Sequence, residues 1–416
     1  MTHPQPRTAT ELLQAMVRIG SVNPALLSPG DPGRDGEARL VDYLERVCRA
    51  WGLPTRRLPV AGLADQLLVT SEVVPDPQPH GDEGNEADER HYRPWLLFDS
   101  HLDTVSIENM SIEPFAAELR DGRVWGRGTC DTKGTGAAML WALRGFAAAS
   151  NRANRIALLF SVDEEVSMRG IASFVKRDLP ALGFAPAAAI VGEPTELRPV
   201  IAHQGCVRWT VTTHGQACHS STPHDGRSAI TAMTRVIQHL ENHYIPSLTA
   251  EHPLTGQATC SINLIRGGAA PNIVPDTCTI TLDRRTAPGE DHADVTRDFQ
   301  SHLDALAETD ALLTTTFSAQ VDHPPLTTAY NPQLTAHLQT LLAGQNLPTL
   351  ALGAPFATHA AVLHSAGIPS VVIGPGAPHP AHTRDEWVAV EEIKRGTTFY
   401  ETLMRTPLSW AKPADG

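Results

Sequence analysis

The sequence predicts an α/β fold, a mostly parallel sheet flanked by helices, with a ferredoxin-like α+β domain inserted into it. Three observations lead there. Short apolar runs alternate with helical stretches over the first two hundred residues, the pattern of a parallel sheet covered by helices. Near Gly205 the order changes to strand, helix, strand, strand, helix, strand. The first pattern then resumes toward the C-terminus. The expected division is residues 1–204 and 320–416 for the two parts of the larger domain and 205–319 for the insert.

Each element has a local reason. Thr10–Ile19 and Glu37–Trp51 carry apolar residues at helical spacing. The runs Trp95-Leu96-Leu97-Phe98, Ile156 to Val162, Ala189-Ile190-Val191 and Val371-Val372-Ile373 read as short buried strands. A helix is expected over Thr132–Ala149. Pro75–Pro94 is polar, acidic and rich in Pro and Gly, so it reads as a surface insertion. In the insert, strands are expected at Val207–Thr213, Thr259–Ile265, Thr277–Asp283 and Leu313–Ser318, with helices at Gly226–His243 and Gly289–Glu308. That order is ferredoxin-like. Helix Leu334–Gln345, strand Pro369–Gly374 and helix Val390–Met404 complete the chain.

A length of 416 residues with 41% hydrophobic content suffices for two or three domains with real cores. The formal charge of −13 argues against nucleic acid or an anionic membrane as partner, since both need a basic surface. Six scattered cysteines without a CxxC pair read as reduced thiols rather than a disulfide framework. The N-terminal stretch lacks the apolar core of a signal peptide, and no run approaches a membrane span, so a cytoplasmic location is expected.

Acid and imidazole groups follow the apolar runs. His101 and Asp103 lie in SHLDT, Asp131 in GRGTCDTKG, Glu164 and Glu165 in SVDEE, Glu193 in VGEPTE and His382 in GPGAPHPAHTRDE. Ligands of open α/β sheets gather at the carboxyl ends of strands. Imidazole with carboxylate and no thiolate is the donor mix of a catalytic zinc, manganese or cobalt site. Asp103, two residues after His101, is placed to accept the other ring N–H and fix the tautomer. Asp131 opens a helix, where a carboxylate also serves as an ordinary cap. The glycine-rich turn lacks the order of a phosphate loop, because Asp131 replaces the third glycine of GxGxxG. His379 competes with His382 as the late imidazole.

In this order the motifs resemble the co-catalytic di-zinc amidohydrolases, the family of acetylornithine deacetylase, succinyl-diaminopimelate desuccinylase, aminoacylase and glutamate carboxypeptidase. The resemblance runs from about Ala9 to Leu403. It implies two divalent ions, zinc first and cobalt or manganese as alternatives. His101, Asp131 and Glu193 would hold one, and Asp131, Glu165 and His382 the other. It implies Glu164 as general base and a homodimer formed by the smaller domain. His219, in GQACHSSTPHDGRSAI, matches the histidine that reaches a partner's active site to stabilise an oxyanion. Asn272 matches a substrate-facing asparagine, and Arg285 an arginine that pairs with a substrate carboxylate. One departure stands out: His359, in PFATHAAVL, occupies the place of an acid in relatives. It is expected either to recognise a carboxylate-bearing group or to pack. The implied reaction is amide hydrolysis of an N-acyl-amino acid or short peptide. There is no GxSxG elbow for a serine hydrolase.

Overall fold

The computed structural model describes residues 5–74, 93–108, 110–150, 152–310, 312–329, 331–379, 381, 383–408 and 410–411. Most of the expected surface insertion at 75–94, and His382, lie outside the described residues. The chain forms two compact units: residues 1–201, 328–352 and 358–416 in unit 1, and 202–327 with 353–357 in unit 2.

The longer elements of the first part, in chain order, are α1 (Ala9–Val17), α2 (Gly36–Ala50), β1 (Thr55–Leu58), β2 (Gln66–Thr70), β3 (Trp95–His101), β4 (Glu118–Arg120), β5 (Arg123–Trp125), α3 (Lys133–Ala147), β6 (Arg155–Ser161), β7 (Pro186–Val191) and β8 (Val200–His203). Then come β9 (Gly205–His214), β10 (Cys218–His219), α4 (Ala229–His239), β11 (Thr259–Gly267), β12 (Ile273–Val274), β13 (Thr277–Thr286), α5 (His292–Thr309) and β14 (Thr314–His323). The chain closes with α6 (Pro332–Gly344), β15 (Leu352–Ala354), α7 (His359–Ser365), β16 (Ser370–Val372), β17 (Trp387–Ala389) and α8 (Val390–Arg405).

The large sheet has the order β1-β2-β6-β3-β7-β16-β8-β15. Its centre is parallel, β6 with β3, β3 with β7 and β7 with β16. Antiparallel partners flank it, β2 against β6 and β8 against β16. Every residue of β3 is buried, as expected of a strand covered on both faces. Leu96 and Phe98 join Ile156, Leu158, Leu140, Phe146 and Phe399 in one core cluster. Leu97, Leu159 and Ala189, alternating with them, are equally buried. The three parallel central strands end together: His101 is in register with Ser161, and Asp99 with Val191. That common edge positions the acid and imidazole groups.

Unit 2 holds a four-stranded antiparallel sheet in the order β11-β13-β9-β14, the ferredoxin-like arrangement. β9 alternates buried and half-buried residues, and its inward Trp209 stacks on Phe299 of α5 at 4.1 Å. α4 begins later than the expected Gly226, because Ser228 caps it by accepting the Thr231 backbone N–H. All six cysteines are free thiols, five of them buried. Among the described residues, no helix is long and apolar enough to cross a membrane.

Candidate metal centre

Three groups from three separate segments converge in unit 1. His101 ends β3, Asp131 sits in the turn before α3, and Glu165 follows β6. Each offers a ligand atom, and these atoms all lie within 4.8 Å of one another. His101 Nε2 is 3.0 Å from Asp131 Oδ1 and 3.9 Å from Glu193 Oε1. Glu193 comes from the end of β7. Gly192 before it is a close-approach position, since a Cβ there would lie 2.2 Å from Thr135 Cγ2 of α3.

Asp103 does more than orient the imidazole. His101 Nδ1 lies 2.9 Å from the Asp103 carbonyl oxygen and 3.5 Å from its carboxylate. The main-chain oxygen, not the side chain expected from the sequence, is therefore the nearer acceptor. The carboxylate instead accepts the backbone N–H groups of Glu164 and Glu165 at 3.0 and 3.1 Å, and the Asn23 amide at 2.8 Å. It ties the β3 end to the turn that carries both glutamates. That turn is left-handed at Asp163, whose φ is +64°. Asn23 and Ser167 donate to its carboxylate, and Glu37 accepts its N–H at 3.2 Å. Glu164 and Glu165 therefore leave a folded turn rather than a straight strand end.

Asp131 is not the cap of α3. Thr132 holds that place, without a side-chain cap bond. The Asp131 loop is fixed from below by Glu386, whose carboxylate accepts the backbone N–H groups of Gly128, Cys130 and Asp131 at 2.9, 2.7 and 3.0 Å. Arg127 donates to the same carboxylate at 2.9 Å. Glu386 ends the string GPGAPHPAHTRDE, and nothing in the sequence marks this role for it. Asn23 and Glu37 were also missed, and no motif marks them. Lys133, fully buried, donates to the carbonyl oxygens of Ile19 and Met16, and burial pulls its pKa down to about 7.

The electrostatics of the pocket call for a cation. Burial, reinforced by Asp131, pushes the Glu193 carboxyl well above the usual range. Burial does the same for Glu164, with His101 opposing and Glu165 adding. For His101 burial disfavours the charged ring, yet Asp103 and Asp131 outweigh it and hold the pKa well above normal. Several acids crowding one imidazole away from water must either keep protons or share a positive ion. Oxygen and imidazole nitrogen donors suit zinc, manganese or cobalt. His101, Asp131, Glu165 and Glu193 would hold it, and a cation would take the place of the protons.

His359 does not line an open surface. Its ring is 1% exposed, and Nδ1 lies 2.8 Å from Asp99 Oδ2 and 3.3 Å from Ser161 Oγ. Of the two roles expected for it, recognising a carboxylate-bearing group or packing, this placement fits the second: the ring is engaged with β3 and β6. In unit 2, His219 and Asn272 come together, because β10 pairs with β12 and the Ser220 N–H donates to the Asn272 carbonyl at 3.0 Å. His219 is exposed, with Nδ1 2.7 Å from Ser221 Oγ. Arg285, on β13, is paired with Asp283 at 2.6 Å. His379 is exposed.

Comparison with known proteins agrees with this architecture. The fold is similar to a tripeptidase from Staphylococcus aureus subsp. aureus Mu50 at 19% identity and a TM-score of 0.71, covering 96% of this chain and 97% of that one. It is similar to an M20 family metallo-carboxypeptidase from Sulfolobus solfataricus at 15% identity and a TM-score of 0.73, covering 95% and 98%. A third similar structure is a Bacillus subtilis protein described as a dinuclear metal binding peptidase from the M20 family, at 13% identity and a TM-score of 0.65, covering 95% and 96%. The family model described as peptidase family M20/M25/M40 matches residues 97–406. The match spans the segments that carry His101, Asp131, Glu165 and Glu193, so the chain belongs to peptidase family M20/M25/M40.

Proposed function

We propose that this protein hydrolyses the amide bond of N-acyl-amino acids, with two divalent cations, zinc first, in the unit 1 pocket. The observation that carries the reading is the approach of His101, Asp131 and Glu165 to within 4.8 Å, with Glu193 3.9 Å from His101. His101, Asp131 and Glu193 are assigned to one ion. Asp131, Glu165 and His382 are assigned to the other, His382 on its sequence string alone. When bound, such a pair supplies Lewis acidity and acidifies a water.

The chain's own residues do the rest. Glu164 takes the water's proton and returns it to the leaving amine. Desolvation and the neighbouring acids, Glu165 among them, hold its carboxyl above the usual range, the direction that favours general acid–base work. Asp103 holds Glu164 and Glu165 in place through their N–H groups. His219, supplied by a second copy of the chain, stabilises the oxyanion. Arg285 and Asn272 hold the substrate's carboxylate end.

A second reading is a peptidase acting on short peptides. The similar structures described as a tripeptidase and a metallo-carboxypeptidase favour it. Assay of acetyl-, succinyl- and formyl-amino acids beside di- and tripeptides, with zinc and with cobalt, decides between them. N-acetylornithine is the first expected substrate and N-succinyl-diaminopimelate the second. Turnover of peptides alone would favour the second reading, and turnover of neither class would remove both.

A further inference from the structure

The segment between α1 and α2 lies upstream of the residues that the family model matches, which begin at 97, yet it is built onto the end of β3. Val22 bridges Thr104 in parallel, just past that strand. Ser21 Oγ donates to the Leu102 carbonyl at 2.6 Å, and the Thr104 N–H to the Ser21 carbonyl at 3.0 Å. The Asn23 N–H donates to the Thr104 carbonyl at 2.9 Å. Pro24 then opens a 3₁₀ turn, Pro24–Leu26. The backbone on either side of Asn23 is thus fixed, and the residue is 1% exposed.

The Asn23 amide has one orientation open to it. Its oxygen accepts the Ala25 N–H at 3.0 Å, so its nitrogen faces the acids. That NH2 group makes one contact to Asp103 Oδ2 at 2.8 Å and one to Asp163 Oδ1 at 3.1 Å, which uses both of its hydrogens. Asp103 in turn accepts the N–H groups of Glu164 and Glu165. Asp163, left-handed at φ +64°, is the residue just before them. One side chain therefore reaches the glutamate pair by two routes: through the carboxylate that receives their N–H groups, and through the residue that sets their turn. A lysine in its place would cancel part of the negative charge that a cation needs. A neutral amide joins the two anions and leaves that charge intact.

We propose that Asn23 is a positioning residue of the hydrolytic site: its amide sets the spacing of Asp103 and Asp163, and through them the placement of the Glu164 and Glu165 carboxylates. The role rests on the division of labour proposed above, with Glu164 moving the proton and Glu165 holding metal.

The test uses the full chain, stripped with chelator and reloaded with zinc or cobalt. At saturating zinc, Asn23→Ala lowers kcat about 10- to 100-fold, the range for groups that orient a ligand from behind, and leaves KM within a factor of two. Asn23→Ser keeps a cap for Ala25 and one donor, so it falls between the two, and it serves as the variant of record if Asn23→Ala does not fold. Asp163→Gly removes one route while glycine tolerates the left-handed turn. In that background the kcat loss from Asn23→Ala is smaller by about twofold or more, as for residues in contact. A side chain that only fills space would lower the melting temperature and give independent effects on kcat. The visible absorption of bound cobalt, read without substrate, changes in Asn23→Ala because the Glu165 carboxylate is displaced. Wild-type kcat in the folded variant, independent effects of the two changes, or an unchanged cobalt spectrum each overturn the proposal. A wild type that turns over no amide substrate defeats the hydrolytic reading instead, and the cobalt spectrum still decides whether Asn23 positions the centre.

Discussion

Glu386 accepts the backbone N–H of Asp131 at 3.0 Å across 255 positions of sequence. The same carboxylate takes the N–H groups of Gly128 and Cys130 and the Arg127 guanidinium. A buried charge with this many donors fixes the loop that carries Asp131, the proposed shared ligand of the two ions. Glu386→Gln keeps the shape, loses the charge and turns one acceptor into a donor. Zinc affinity of the unit 1 centre should fall about 10- to 100-fold, as for other groups that orient a ligand from behind. Glu386→Ala leaves the buried Arg127 guanidinium without its carboxylate partner and should cost about 3–5 kcal/mol of stability. Metal competition and thermal melts check the two outcomes. An unchanged affinity in the Gln variant would show that the loop holds itself.

The His359–Asp99 contact, at 2.8 Å with both side chains 1% exposed, should behave as a structural pair. His359→Ala and Asp99→Ala should each lower the melting temperature. A double-mutant cycle should give a coupling of about 0.5–3 kcal/mol. KM should stay within a factor of two of wild type in a folded His359→Ala enzyme. A raised KM with unchanged stability would instead return His359 to the substrate-facing role that its sequence position suggested.

Glu37 gives the metal-free protein a defined pH response. Burial, then Asp103, pushes its carboxyl from 4.5 up to about 8, and its Oε2 has no hydrogen-bond partner among the described residues. Between those two values the unfolded chain has lost this proton while the folded chain retains it. Folding then binds the extra proton, so stability decreases as pH rises. The contribution is fully present below about pH 4.5 and is lost by about pH 8. Glu37→Gln can still accept the Asp163 N–H, and in chelator-treated protein it should flatten this part of the stability–pH curve. Chemical denaturation across pH 5–8 makes the comparison, and identical slopes would contradict it.

The proposed contribution of His219 from a second copy predicts complementation. Glu164→Ala and His219→Ala proteins should each be nearly inactive. Mixed under conditions that exchange subunits, they should recover activity, because one site of each heterodimer is then intact. No recovery despite proven exchange would place His219 and Glu164 in the same chain's site, or His219 outside it.

Much of this architecture is legible in the sequence because its signals are local. The apolar runs before His101, Glu164 and Glu193 mark buried strands, and parallel strands that start together also end together. The same runs therefore place the acids and imidazoles at one edge. The ferredoxin-like insert follows from the order of its elements. What could not be read locally are partners distant in sequence. Glu386 and Asn23 act on Asp131 and Asp103 through contacts that carry no spacing rule. The turn at Asp163 is hidden because a left-handed aspartate looks like any other acid in a row of three. His359 illustrates the converse: its place in the resembled motif left a substrate-facing role and packing both open, and Asp99 on β3 gives it a buried partner.

In the proposed mechanism the acids after β6 have divided roles, Glu165 holding metal and Glu164 moving a proton. The most direct test is metal content measured beside turnover in Glu164→Ala and Glu165→Ala. Glu164→Ala is expected to keep the wild-type unit 1 metal and lose about a thousandfold or more in kcat, whereas Glu165→Ala is expected to lose metal together with activity. Full metal and substantial activity in Glu165→Ala, or near-normal turnover in Glu164→Ala, would contradict it.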